Sequence, residues 1–157
     1  MTVRKILHFT DEELHKPCDR IKEINEEVFQ LAEDLKDTLY STDGVGLAAP
    51  QIGVLKRMIL VDLRNGMDPI ILINPKITSQ SGKETSIEGC LSYPGYAGEV
   101  MRPKAIKVFG INLKGEKVNI KADGFLARCF CHEIDHLDGV VYTDRTRYIY
   151  EEESSEE

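Results

Sequence analysis

The stretch "CHEIDH" at residues 131–136 places His132 and His136 four positions apart, with Glu133 beside the first of them. On a helix advancing about 100° per residue, the two imidazoles point within about 40° of each other and can reach one ion. Glu133 falls about 100° round on one flank and Asp135 about 60° round on the other, which leaves Glu133 the better placed for proton transfer. Leu126, Phe130, Ile134 and Leu137 gather into an apolar stripe, while Phe125 and Cys129 share the histidine face. A helix apolar on two sides must be largely buried. Buried imidazoles and a buried carboxylate then need polar partners or a metal, because unpaired burial is costly.

Two histidines do not complete such a site, since catalytic zinc-type centres usually take three protein ligands and keep a position for water. No histidine follows His136, and Glu151, Glu152 and Glu153 stand in an acidic run. Cys90 in "EGCLS", beside Gly89 at a strand-to-turn junction, offers a thiolate. A cysteine buried as a small apolar side chain would read the same way. The residues alone therefore leave three possibilities open. One is a catalytic centre completed by Cys90. Another is a zincin-like peptidase with a carboxylate third ligand, and the last a non-catalytic module closed by Cys129.

The elements that must position these groups follow from periodicity and turn chemistry. "TDEELHK" reads as a short helix capped by Thr10 or Asp11 and ended by Pro17. From Glu23 to Tyr40, Ile24, Val28, Leu31, Ala32, Leu35 and Leu39 recur at helical spacing. "STDG" stops that helix before the loop "GVGLAAPQIG". Four β-rich runs come next, at 57–63, 69–78, 105–112 and 117–122, separated by turn-forming residues. A second helix starts near Gly124 and ends at Gly139. The expected fold class is α+β: antiparallel strands packed around a central metal-binding helix, with an N-terminal amphipathic helix. Residues 1–146 are read as one catalytic domain and 147–157 as a disordered acidic tail.

Composition narrows the partners. The chain has 157 residues, a net charge of −7 and no cluster of Lys and Arg interleaved with aromatics, so neither a nucleic-acid partner nor a membrane is expected. Apolar runs such as "MILV" and "IILI" are too short to cross a bilayer. The N-terminus lacks a secretion signal, which points to the cytoplasm, and Cys18, Cys90, Cys129 and Cys131 are then free thiols or ligands.

Three segments, "GVGLAAPQ" (44–51), "EGCLS" (88–92) and "HEIDH" (132–136), in this order and spacing, resemble the three signature motifs of the bacterial-type peptide deformylase family. The resemblance implies an α+β fold and a hydrolase that removes the formyl group from the N-terminal methionine of nascent polypeptides. It implies Cys90, His132 and His136 as ligands of one divalent metal, Fe(II) in the cell with Zn, Ni or Co able to replace it. It further implies Glu133 as the catalytic acid/base, and the Gln51 amide and Leu91 N–H as donors to the oxyanion. An extended substrate would pair with Val45, Gly46 and the stretch near Gly89. Phe125, Leu126 and Cys129, with the stem of Arg128, are candidates for the methionine slot. "GVGLAAPQ" does not suit phosphate, since it follows a helix and lacks a Lys-Ser/Thr pair. Arg102 and Asp135 could brace the helix as an ion pair. Some relatives carry an arginine where Ala97 stands, and Cys131 reads as structural. The substrate emerges at a ribosome, although no amphipathic helix follows His136 to dock there.

Overall fold

The computed structural model describes residues 2–146 and 149–152. Its central layer is an antiparallel sheet of β1 (Gly46–Ala48), β2 (Met58–Val61), β3 (Ile70–Ser81), β6 (Ala105–Ile111) and β7 (Lys117–Asp123), in that order. The run "MILV" is apolar throughout because β2 is covered on both faces. Ile59 and Val61 join Phe130, Ile134 and Leu137 of helix α2 (Gly124–Leu137). Met58 and Leu60 join Leu31, Leu35 and Leu39 of helix α1 (Glu26–Tyr40). Period-two alternation thus sends successive side chains of one strand into two different cores.

Helix α1 begins where the Asn25 side chain accepts the Val28 N–H at 3.2 Å. It ends where Ser41 and Thr42 hydroxyls cap the Thr38 and Leu39 carbonyls at 2.7 Å each. The expected short N-terminal helix is a single 3-10 turn, Glu12–His15. Helix α2 stops at Leu137, followed by Gly139 at φ +76°. A Cβ there would lie 2.7 Å from the His15 backbone, so the position needs both glycine's conformation and its small size.

A second sheet was not anticipated. β4 (Glu84–Cys90) and β5 (Tyr93–Arg102) form a hairpin, and β8 (Ile149–Glu151) adds to the far side of β5. Pro94, Gly95 and Gly98 argue locally against a strand. Pairing on both sides of β5 overrides that preference, with Ala97 opposite Tyr150 and Gly98 opposite Ile149. The acidic segment read as a disordered tail is therefore ordered in part, because β5 leaves unpaired backbone groups that β8 satisfies. The Glu152 N–H continues the pairing by donating to the Gly95 carbonyl at 2.8 Å. Residues 147, 148 and 153–157 of that segment lie outside the described residues. Among the described residues, no helix is long and apolar enough to cross a membrane.

Candidate metal centre

The histidine helix meets the β4–β5 hairpin at the base of a cleft of about 660 Å³. Cys90 ends β4, His132 and His136 come from α2, and their donor atoms lie within 4.8 Å of one another. Cys90 Sγ is 3.4 Å from His136 Nε2, and the two imidazoles stand nearly perpendicular with centroids 5.0 Å apart. One thiol and two imidazoles on a compact triangle form a donor set that suits a divalent transition ion. The Ser92 N–H at 3.4 Å and the Gln51 amide at 3.6 Å donate to the sulfur. The His136 side chain is fully buried and its Nδ1 has no partner among the described residues. Burial, then repulsion from His132, pushes His136 well below its ordinary pKa, which favours the neutral imidazole that a metal ligand requires.

Glu88 holds His132 in place, and the sequence reading missed it. Its carboxylate receives two hydrogen bonds from Arg102, at 2.7 and 2.8 Å, and lies 2.9 Å from His132 Nδ1. Bonding at Nδ1 leaves Nε2 of His132 to face Cys90 and His136. Burial opposes ionisation of Glu88, yet the hydrogen bonds from Arg102 and His132 bring its pKa down to about 2. The expected Arg102–Asp135 pair forms at 2.5 Å, and Asp135 also accepts from Arg145 at 2.6 and 2.9 Å. "EGCLS" carries the signal for Glu88 in its first letter, two residues before Cys90 and so on the same face of β4.

Glu133 is buried against β1. A Cβ on Gly46 would lie 2.6 Å from Glu133 Oε2, so glycine at 46 lets this carboxyl approach the strand. Its Oε1 has no partner among the described residues, and burial pushes its pKa up to about 7. Gln51 is fixed from two sides. Its carbonyl accepts the Ala48 N–H at 2.9 Å and its amide donates to Ser92 Oγ at 3.1 Å, beside the sulfur.

Val45, Gly46, Gly89, Leu91, Phe125, Arg128 and Cys129 line the same cleft. Leu126 does not. It borders a separate groove with Ile106 and Lys107, because on α2 it points about 120° away from His132. Phe125 is half exposed at the rim. Cys129 lines the wall without joining the triangle, and burial, then Glu133, pushes its thiol up to about 12. Its sulfur is not among the donor atoms that converge at Cys90, His132 and His136. Glu151 pairs in β8 and Glu152 stands at the rim, so neither described carboxylate replaces Cys90. Cys131 is buried in the α2 core.

Replacing Glu88 by alanine strips the buried Arg102 of two of its three carboxylate hydrogen bonds, leaving it Asp135, and frees the His132 ring. Urea unfolding is expected to show a loss of roughly 3–5 kcal/mol, and metal competition titration a loss in affinity of about 10- to 100-fold. A loss under about 1 kcal/mol with unchanged affinity contradicts the assigned role. For Glu133 the raised pKa favours the protonated form in the fold. Its stabilising contribution is complete below 4.5 and is lost as pH rises to about 7. In the metal-free protein, Glu133→Gln should gain up to about 3 kcal/mol over the parent across that interval. A difference that stays flat with pH would refute the burial argument.

Comparison with known proteins agrees with this geometry. The family described as polypeptide deformylase matches residues 3–152. The peptide deformylase of Acetivibrio thermocellus is 47% identical over 154 residues, covering 98% of this chain and 89% of that one. The peptide deformylase of Carboxydothermus hydrogenoformans is 50% identical over 145 residues, covering 92% and 94%. The crystal structure of peptide deformylase from Thermotoga maritima superimposes with a TM-score of 0.89 at 39% identity, over 94% of this chain and 100% of that one. With the family's motifs folded into one metal-binding triangle, and with near-complete coverage at this identity, the chain belongs to the polypeptide deformylase family.

Proposed function

We propose that the cleft removes the N-formyl group from the N-terminal methionine of newly made proteins and releases formate, with Cys90, His132 and His136 holding the one metal ion. The convergence of these three residues beside the buried Glu133 at the foot of an open cleft carries this reading. A divalent ion in this donor set supplies Lewis-acid activation of water and of the formyl oxygen.

The chain's own residues do the rest. Glu133, pressed against Gly46, takes a proton from the attacking water and delivers it to the leaving amine. The Gln51 amide and the Leu91 N–H donate to the oxygen that gains charge. Gln51 is suited to this because its carbonyl is already engaged, so its amide nitrogen is the end that faces the centre. β1 and β4 are edge strands of their two sheets and both contribute residues to the cleft. An extended formyl-Met peptide can therefore pair with Val45 and Gly46 on one side and Gly89 on the other. Phe125, Cys129 and the stem of Arg128 offer apolar surface to the methionine side chain.

Fe(II) is the metal in the cell on this reading, and Zn, Ni or Co can take its place. The enzyme works in the cytoplasm close to the ribosome that supplies its substrate. It should lose activity in air, because both the ion and the Cys90 thiolate are oxidisable.

Formate release from a formyl-Met peptide, measured anaerobically beside metal content, tests the assignment of Glu133. Glu133→Ala is expected to lower kcat by at least about 100-fold while about one metal ion per chain remains. Full activity in that variant would remove Glu133 from the mechanism.

A further inference from the structure

The charges at the cleft mouth carry a consequence for substrate choice, and it rests on the deformylase reading above. Five charged side chains other than the ligands line the cleft: Asp43, Glu88, Arg128, Glu133 and Glu152. Glu88 is spent on Arg102 and His132, and Glu133 is buried at the base. Arg128 is the one cation among these lining residues, and it is paired with Glu84 and lies 5.5 Å over the Phe125 ring. Asp43 and Glu152 are exposed and have no ion-pair partner among the described residues. The mouth is therefore acidic on both walls.

Glu152 is held there by the backbone. β8 pairs with β5 through Glu151, and the Glu152 N–H donates to Gly95. Its carboxylate overlies Gly89, with Oε1 3.5 Å from where a Cβ on that glycine would stand. Gly89 belongs to β4, the edge proposed to pair with the substrate. Asp43 precedes β1 on the opposite wall. Arg64 lies close to that loop, but it donates to the Leu39, Thr42 and Gly44 carbonyls and does not line the cleft.

We propose that Glu152, assisted by Asp43 across the cleft, makes this enzyme select formyl-Met peptides with a cationic side chain just after the methionine, and disfavour acidic ones. Partly exposed charges a few ångströms apart contribute modestly one by one, and they are screened by salt. The preference should accordingly be several-fold and dependent on ionic strength.

The test compares kcat/KM for formyl-Met-Lys-Ser, formyl-Met-Ala-Ser and formyl-Met-Glu-Ser at low and high KCl. The lysine peptide should exceed the glutamate peptide by about fivefold at low salt and approach parity at high salt. Glu152→Gln should at least halve that ratio, and Glu152→Lys should invert it. Glu27→Gln on α1 changes net charge equally and should leave the ratio in place. Calorimetric binding of the products Met-Lys-Ser and Met-Glu-Ser reads the same preference without turnover. The alanine peptide reports on deformylation alone, so a failure of the parent reading is separable from a failure of selectivity. A ratio unmoved by both Glu152 substitutions, one insensitive to salt, or one shifted as much by Glu27→Gln would overturn the proposal.

Discussion

The buried Glu88 carboxylate is the contact on which the site depends. It joins β4 to Arg102 of β5 on one side and to His132 of α2 on the other. Cys90, two residues further along the same strand, is thereby carried to the histidines. A buried ion pair adds little net stability, because desolvation offsets most of the attraction. What it contributes here is placement. With the ring of His132 fixed at Nδ1 and Asp135 tied to Arg102 and Arg145, α2 has one seat against the hairpin.

The same arrangement separates two tasks within one short helix. The face of α2 that carries Phe130, Ile134 and Leu137 builds the core with β2. The face that carries His132 borders the cleft with His136 buried one turn deeper, and Glu133 lies to one side against Gly46. Close backbone approach at Gly46 and the open edges of β1 and β4 leave room for an extended chain beside the carboxyl. Burial suits the proposed chemistry: it favours neutral His136 and raises the Glu133 pKa to about 7, where a carboxyl can exchange a proton near neutral pH.

Much of this was legible in the residues. The helical spacing of Leu31, Leu35 and Leu39 marked α1, and the apolar runs marked β2, β3, β6 and β7, because those elements are specified by periodicity. The three motifs named a cysteine, two histidines and a glutamate that the fold brings to one place. The hairpin of β4 and β5 was not legible, since Pro94, Gly95 and Gly98 speak against a strand and only pairing with β4 and β8 decides otherwise. Glu88 escaped notice because a lone glutamate reads as surface until its partners Arg102 and His132 are seen. Leu126 was misplaced because its neighbours Phe125 and Cys129 do line the cleft, and a helix turns it away from them.

The central claim is that the hairpin cysteine and the two helix histidines together hold one metal ion. Anaerobic metal analysis of Cys90→Ala, beside its circular dichroism, tests it most directly. The account predicts that metal content falls from about one ion per chain towards zero while the fold persists. A variant that keeps a full complement of metal would show that the third ligand lies elsewhere, and would contradict the account.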